Sequence, residues 1–202
     1  MLKVFAAFSY SWEANSYLVY DENDDAILID PNKLDNGIEK FISDNHIKLK
    51  AVCCTHGHFD HISGVDYYVN KYNCRFYIHK DDVELLNNPY KNSSKTFGLN
   101  IICNSKPTNL FKQFTVLTEL KNFINVYHTP FHTQGCVCLH DFADKILFTG
   151  DTLFKSGVGR CDLYGGNQTQ MQKSLLKISN LDKETVCFPG HGEKTTIGKE
   201  FY

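Results

Sequence analysis

Short apolar runs separated by polar turns fill the first quarter of the chain. Four of these runs have the length of strands: LKVFAAF, NSYLVY, AILID and KLKAVCCTH. The polar cluster DENDD joins the second run to the third and predicts a hairpin. Ahead of the fourth run, NGIEKFISDNH places Ile38, Phe41 and Ile42 at helical spacing. The pattern predicts strands first and then an alternation of helix and strand.

A helical period returns directly after residue 61. In ISGVDYYVNKY, one apolar stripe predicts a helix: Ile62, Val65, Val69 and Tyr72. The next segments are predicted as a strand, RFYIH, and a short helix, KDDVELLNN. Residues 90–112 carry loop signals such as KNSSK and show no clear period. Their path is therefore not predicted.

Strands dominate from residue 113 onward. The predicted elements are the strands QFTVLTEL, FINVYHT, CVCLHD and KILFTGD, the helix TQMQKSLLKISNL and a last strand TVCFPG. Both hairpins and crossovers are present, which predicts two mixed sheets packed face to face with helices outside, rather than one doubly wound parallel sheet. The chain shows no internal repeat or low-complexity linker, so we expect a single domain over residues 1–202.

Composition removes several classes of function. The net charge of −2 argues against a general nucleic-acid binder, which usually shows a basic face. No apolar run reaches membrane-spanning length or resembles a secretory signal. The eight scattered cysteines form no C-x-x-C pair, which favours free thiols in the cytoplasm over a disulfide framework. Cys53 and Cys54 are expected to point to opposite faces of one strand.

The stretch THGHFDHISG concentrates four donor side chains between residues 56 and 61. His56 and His58 can reach one ion when the loop between them is tight, and Gly57 permits unusual backbone angles there. Asp60 and His61 are close enough to serve a second ion but poorly placed for the first. Zinc takes about four such donors. Two complete sites therefore need further donors from elsewhere in the chain.

Three later segments offer those donors at the ends of predicted strands. They contain His132 in HTPFHTQG, Asp151 in FTGDTLF and His191 in PGHG. Loops at strand ends are where residues from distant parts of a chain converge. We interpret the set as a pair of sites with His56, His58 and His132 at one ion, Asp60, His61 and His191 at the other, and Asp151 bridging both. Two ions roughly 3.5–4 Å apart are a known arrangement for hydrolysis.

Each later donor also has a structural interpretation when it is taken alone. His132 is typical of a core or surface histidine, Asp151 of a turn after a strand, and His191 of an exposed loop. The remaining histidines and the cysteines nearest the site are interpreted as packing or surface residues: His46, His79, His128, His140, Cys54, Cys136 and Cys161. The metal interpretation depends on the combination of the cluster with the later donors.

These motifs together resemble a known family. THGHFDHISG is similar to the signature of the metallo-β-lactamase superfamily, and the pair Asp30-Pro31, HTPFHTQG, FTGDTLF and PGHG resemble its other motifs in the expected order. The resemblance covers about residues 5 to 200. It implies an α+β protein with a four-layer αββα sandwich, two mixed sheets flanked by helices, and metals along one sheet edge. It also implies that the seven donors are ligands and that Asp30 steadies the site.

Two passages narrow the resemblance. FKSGVGRCDLYGGNQTQM and FPGHGEKTTIGKE are similar to short glyoxalase II-like hydrolases, whose full-length relatives hydrolyse S-lactoylglutathione. The resemblance implies two divalent ions, with zinc preferred and iron or manganese as alternatives, and a hydroxide between them that attacks a small thioester. Asp60 would orient that hydroxide. Arg160 resembles a basic residue that contacts a glutathione carboxylate, and the alternative is a structural pair with Asp162. Asp151 matches the bridging carboxylate of the thioesterase branch, which disfavours a true β-lactamase.

The chain departs from the family pattern in two ways. Phe131 stands where the family usually has glycine, and it would be strained if φ there were positive. The C-terminal helical region that binds glutathione in full-length relatives is not in this chain, so either glutathione thioesters bind weakly or the substrate is another small thioester. The alternatives left open are a mononuclear-iron persulfide dioxygenase, which the chain resembles at GRCD, and a metal-bound module without catalysis. The oligomeric state is not predicted.

Overall fold

The structure, a computed structural model, describes residues 1–9, 12–32 and 37–201. The described residues form twelve strands: β1 Lys3–Ala7, β2 Ser16–Tyr20, β3 Asp25–Ile29, β4 Lys48–Cys53, β5 Arg75–His79, β6 Asn109–Phe111, β7 Val116–Leu117, β8 Ile124–His128, β9 Val137–Asp141, β10 Ile146–Gly150, β11 Val186–Pro189 and β12 Thr195–Thr196. They also form five α-helices: α1 Ile38–Asp44, α2 Phe59–Ile62, α3 Val65–Tyr72, α4 Gln168–Ser179 and α5 Ile197–Glu200. Two 3₁₀ helices span Lys80–Leu85 and Ser94–Phe97. The predicted start of the first helix at Asn36 lies outside the described residues.

The strands form two six-stranded sheets. The first has the order β1-β2-β3-β4-β5-β6, in which β1, β2 and β3 are antiparallel and β3 to β6 are parallel. The second has the order β12-β11-β10-β9-β8-β7 and is antiparallel except between β10 and β11. Both sheets are mixed, as the sequence predicts. The predicted hairpin is the β2–β3 pair, with Leu18 opposite Leu28.

Alternating side chains on the strands build the layers. Leu18 faces a cluster that contains Ile42 of α1, whereas Val19 belongs to the cluster between the two sheets. Cys54 and Cys53 divide between the same two clusters, because adjacent side chains on a strand point to opposite faces. A third cluster packs α4 and α5 on the outer face of the second sheet. The predicted four-layer αββα sandwich of the α+β class is therefore confirmed.

The helix predicted after residue 61 differs from the structure in its bounds. It is divided into α2 and α3, with Gly64 at the division. The amide of Gly64 donates to the carbonyl of Pro31 at 2.8 Å, and a Cβ on this glycine would lie 2.4 Å from the carbonyl oxygen of Asn32. The contact with the loop after β3 thus interrupts the helix, and only glycine leaves room for it.

Several strand predictions were wrong in length or place. The strand predicted from QFTVLTEL is only β7, and a turn with Phe114 at φ 67° precedes it. In contrast, β6 lies in the segment with no predicted structure, and it pairs with β5 at the edge of the first sheet. β12 and α5 were not predicted either. These elements are two to four residues long, which is too short for a period to be visible in the sequence.

All eight cysteines are free, and six of them are buried. Among the described residues, no helix has the length and apolar character needed to cross a bilayer.

Strand direction gathers several loops at one sheet edge. β8 and β10 are both antiparallel to β9, and β11 is parallel to β10. β8, β10 and β11 therefore run the same way, and the loops that follow them leave the sheet at the same edge. These are the loops that carry His132, Asp151 and His191. The loop after β4 brings residues 54–61 to the same place from the first sheet.

Candidate metal centre

Three imidazoles from two loops converge in the first cluster. His56 Nε2 lies 3.1 Å from His58 Nδ1, which lies 2.8 Å from His132 Nε2. All three side chains are buried. Nitrogen donors around one tetrahedral zinc are roughly 3.3 Å apart, given bonds of about 2.0–2.1 Å. The spacing is close to that of a metal site.

Neighbouring groups determine which nitrogens carry hydrogen. His132 Nδ1 lies 2.6 Å from the carbonyl oxygen of Arg160, so it must be the donor there. Thr55 Oγ1 donates to Asp30 and therefore accepts from Nδ1 of His56, 3.2 Å away. The lone pairs of His56 and His132 thus both point at His58. A proton on His58 could satisfy only one of them, whereas a cation would satisfy all three nitrogens.

The second cluster consists of Asp60, His61 and His191. Asp60 Oδ2 lies 3.1 Å from His191 Nε2 and 3.6 Å from His61 Nε2. The ring of His61 is oriented by Asp30, whose Oδ2 lies 2.9 Å from His61 Nδ1. Asp30 has φ of 50° and also accepts from the amide of Thr55 at 2.7 Å. Asp30 therefore lies between His61 and Thr55, the residue that precedes His56.

Asp151 lies between the two clusters. Its Oδ1 is 3.4 Å from His61 Nε2, and its Oδ2 is 3.3 Å from His132 Nε2. Both Asp151 Oδ1 and His61 Nε2 are buried without a hydrogen-bond partner among the described residues. Gly190 makes this packing possible, since a Cβ there would lie 2.2 Å from Asp151 Oδ1. One carboxylate oxygen therefore faces each cluster, which is the position of a bridging group.

Burial and neighbouring charges give the donors suitable protonation states. Burial lowers the pKa of His58 to about 3, and burial with the nearby imidazoles holds the pKa of His56 well below its usual range. Burial also lowers the pKa of His61, but the surrounding carboxylates outweigh it and raise that pKa. Burial raises the pKa of Asp151, but the adjacent imidazoles, His61 first, hold it below its usual value. His56 and His58 are therefore neutral and can offer lone pairs to a cation, and the carboxylates that favour a proton on His61 would equally favour a metal ion in its place.

The structure brings all seven predicted donors into one centre: His56, His58, Asp60, His61, His132, Asp151 and His191. Their clusters could hold metal ions in the two-ion arrangement. Nitrogen and carboxylate donors suit zinc, iron and manganese alike, so the donor set does not identify the metal.

A comparison with known families agrees with this geometry. The family model described as "Metallo-beta-lactamase superfamily" matches residues 11–191. The chain belongs to the metallo-β-lactamase superfamily. The resemblance stated from the motifs is therefore confirmed, and membership supports a metal-dependent hydrolase.

Three relatives and solved structures are similar to this superfamily member over nearly its whole length. The hydroxyacylglutathione hydrolase GloC of Haemophilus influenzae is 28% identical over 192 residues, covering 94% of this chain and 91% of the relative. The crystal structure of BLEG-1, described as a B3 metallo-beta-lactamase, has a TM-score of 0.91 and 31% identity, covering 99% of this chain and 96% of its own. The structure of TTHA1623 in a di-iron-bound form has a TM-score of 0.87 and 30% identity, covering 98% of this chain and 96% of its own.

A further group of donors lies elsewhere in this superfamily member. His79, Asp81 and His128 also come close to one another. The two rings are stacked, with centroids 4.0 Å apart and an angle of 14° between their planes. Imidazole lone pairs lie in the ring plane, so two stacked rings cannot both point at one ion in this arrangement. The structural interpretation of His79 and His128 agrees with the stacking.

Asp82, which no sequence motif indicates, joins the two loops of the first cluster. Its carboxylate is fully buried and accepts from the amide of Gly57 at 2.8 Å, the amide of Gly135 at 2.7 Å and Thr133 Oγ1 at 2.7 Å. Burial raises the pKa of Asp82 to about 6. Gly57 lies between His56 and His58, and Thr133 follows His132, so Asp82 holds both histidine loops.

Two expectations about individual residues were changed by the structure. Gly57 has no positive φ, and what it provides is space, because a Cβ there would lie 2.8 Å from Leu85 Cβ. Phe131 is not among the described residues with positive φ either, so the strain expected for a phenylalanine with positive φ does not arise. Its ring is fully buried, and its carbonyl accepts from the amide of Asn167 at 2.7 Å. The loop before His132 accommodates a phenylalanine by packing it inward.

A cavity of about 280 Å³ opens beside the donors. Its lining contains donors of both clusters and side chains from three other segments: Trp12, His58, Phe59, Asp60, Ser93, Phe97, His132, Asp151, Arg160, Leu163 and His191. Arg160 donates from Nε and Nη2 to the two carboxylate oxygens of Asp162, at 2.6 and 2.7 Å. The predicted alternative, a structural pair of Arg160 with Asp162, is thus present, although Arg160 also lines the cavity. Ser93 and Phe97 come from the segment with no predicted structure.

Proposed function

We propose that this protein is a metal-dependent thioester hydrolase that acts on S-lactoylglutathione or a similar small thioester. The seven donors are the proposed ligands, in the division given by their motifs. The observation that carries the proposal is Asp151, which faces both clusters at the base of an open cavity. The similarity to the hydroxyacylglutathione hydrolase GloC supports the substrate class.

In the reaction a C–O bond forms from water, the C–S bond of the thioester breaks, and a carboxylic acid and a thiol are released. Two divalent ions, when bound, supply a water that loses its proton near neutral pH and positive charge beside the carbonyl oxygen. The nearby imidazoles of His61 and His191 hold the pKa of Asp60 below its usual value, although burial raises it. Asp60 is therefore a carboxylate, which can accept a hydrogen bond from the attacking water and orient it. A thiolate is a good leaving group, so no strong general acid is needed.

Arg160 is the proposed contact for a polar part of the substrate. Arg160 lines the cavity, and its guanidinium is held by Asp162 at the protein surface. A substrate carboxylate would have to share or displace Asp162. Exposed ion pairs contribute only about 0–1 kcal/mol, so this exchange is energetically accessible.

The metal and the compartment are also proposed. Zinc fits the donor set, and the di-iron-bound TTHA1623 structure supports iron as the alternative. The eight free thiols support a reducing compartment such as the cytoplasm.

The test is hydrolysis of S-D-lactoylglutathione by protein reconstituted with zinc, iron or manganese, followed by loss of the thioester absorbance. We expect hydrolysis that is lost in Asp151→Ala and reduced by orders of magnitude in Asp60→Ala. A matched control is Asp81→Ala, which removes an exposed carboxylate outside the cavity. Absence of hydrolysis with two metals bound per chain would refute glutathione thioesters as substrates. Oxygen uptake with glutathione persulfide would indicate the dioxygenase instead.

β-Lactam hydrolysis is a second candidate. The similarity to BLEG-1, which is described as a B3 metallo-beta-lactamase, favours it at 31% identity. The same reconstituted samples should be tested with a chromogenic cephalosporin. Turnover of the cephalosporin that exceeds thioester turnover would replace the thioesterase proposal.

A further inference from the structure

Three aromatic rings form a continuous wall on one side of the cavity. Trp12 lies against Phe59, and Phe59 lies against Phe97, with ring centroids 5.4 Å apart in both pairs. Phe59 directly precedes Asp60 of the second cluster. All three rings line the same cavity as the proposed ligands. We call these three residues the aromatic wall.

The outer two rings of the aromatic wall are only half covered by protein. Trp12 is 51% exposed and Phe97 is 53% exposed, whereas Phe59 is buried. Exposed apolar surface that continues into a polar site is typical of a ligand-binding surface. Among the described residues of the lining, Arg160 is the one lysine or arginine, and Asp162 already neutralises it. Apart from the proposed metal ions, the described lining offers a ligand its aromatic rings and no lysine or arginine that lacks a carboxylate partner.

The aromatic wall is connected to the metal loop through the backbone. The amide of Phe59 donates to the carbonyl of Asn92 at 3.1 Å. The next residue, Ser93, is buried in the cavity lining with φ of 69°, a region that residues other than glycine rarely occupy. Phe97 ends the 3₁₀ helix that begins at Ser94. Phe59 and Phe97 are therefore joined through one backbone segment, and this preorganisation favours binding of a flat group.

We infer that the aromatic wall binds a flat apolar group of the substrate, such as an aryl ring, next to the scissile thioester. The inference rests on the proposed function and narrows its substrate class. The ring could belong to the acyl half or to the thiol half of the thioester, since the chemistry of the wall is the same for both. S-Lactoylglutathione has no such ring and would be a poor substrate by comparison.

Two pairs of thioesters distinguish these sources. In the acyl pair, phenylacetyl and acetyl groups are compared on N-acetylcysteamine. In the thiol pair, benzyl mercaptan and N-acetylcysteamine are compared as acetyl thioesters. We expect kcat/KM to be about tenfold higher for the aryl member of at least one pair, because aromatic contacts add to the burial of the ring. Trp12→Ala and Phe97→Ala should each reduce that ratio at least threefold.

The control variant is Phe114→Ala, which removes a ring that is 81% exposed and does not line the cavity. It should leave the activity and the aryl preference unchanged. Equal kcat/KM within both pairs would overturn the inference while leaving the hydrolase intact. An aryl preference that survives in Trp12→Ala and Phe97→Ala would also overturn it.

Binding can be measured without catalysis, because Trp12 is the single tryptophan of the chain. Fluorescence of the metal-loaded protein should change on titration with phenylacetate at concentrations at least tenfold lower than with acetate. If no thioester is hydrolysed but this difference is found, the proposed function fails and the aromatic wall stands as a binding site. If hydrolysis and the difference are both absent, both proposals are overturned.

Discussion

Replacement of Asp82 should weaken the fold and the metal centre together. This carboxylate is fully buried and accepts three hydrogen bonds. Two of them come from backbone amides, whose direction is fixed by the chain. Hydrogen bonds to a charged group contribute roughly 1.5–3 kcal/mol each. Burial of the carboxylate, which raises its pKa to about 6, offsets part of this sum. We therefore expect Asp82→Ala to lower the free energy of unfolding by about 2–4 kcal/mol.

The expected loss of metal affinity follows from the two loops that Asp82 joins. Without it, the loop of His56 and His58 is no longer held against the loop of His132. Supporting partners of metal ligands typically contribute 10–100-fold in affinity, so we expect a loss of at least about tenfold. Competition with a chromogenic chelator measures this loss of affinity. Urea unfolding of the metal-free protein measures the change in the free energy of unfolding separately.

Asp81→Ala is the matched control, since the neighbouring carboxylate is exposed and pairs with Lys80 at the surface. It should change stability by less than about 0.5 kcal/mol. Asp82→Asn keeps one acceptor oxygen and should lie between the wild type and Asp82→Ala. If Asp82→Ala matched the wild type in both unfolding free energy and chelator competition, the three hydrogen bonds would not be what holds the loops.

Other residues lead to separate predictions. Burial lowers the pKa of His140 to about 4, so its contribution to stability is complete above pH 6.5 and is lost as pH falls from 6.5 towards 4. The free energy of unfolding of His140→Leu, relative to that of the wild type, should therefore be about 1–2 kcal/mol higher at pH 5 than at pH 8 in urea unfolding, and a difference independent of pH would contradict this. Asp151→Asn should lower the metal content from two ions towards one per chain by elemental analysis, and an unchanged ratio would exclude the bridging role. Arg160→Ala should raise KM for S-lactoylglutathione, and Asp162→Asn, which frees Arg160, should lower it. If both variants keep the wild-type KM, Arg160 does not contact the substrate.

The metal donors could be predicted because the sequence carries them in a form that local reasoning detects. Four lie within residues 56–61, and the other three directly follow strands with clear apolar runs. Strand direction then brings the loops together. The residues that complete the centre carry no such signal. Asp82 stands in a KDD stretch that reads as the ordinary acidic start of a helix, and its partners lie 25 to 53 residues away.

The aromatic wall was not predicted from the sequence for a similar reason. Trp12 and Phe97 are single aromatic residues in loop segments, far apart in the chain, and only the fold places them on either side of Phe59. β6 is another case, because a three-residue edge strand is defined by its partner β5 rather than by its own pattern. Long elements with a face against the core were predictable, whereas elements that depend on a distant partner were not.

The two sheets contribute opposite halves of the centre, and this has a consequence for folding. An ion held jointly by His58 and His132 would close a covalent loop of 132 − 58 = 74 residues. A cross-link over a loop of that size restricts the unfolded chain by on the order of 4 kcal/mol, as a disulfide would. Asp82 makes a weaker, metal-independent link across the same gap. The ions would then act as removable cross-links between the two sheets, and metal supply would determine how long the folded chain survives as well as whether it is active.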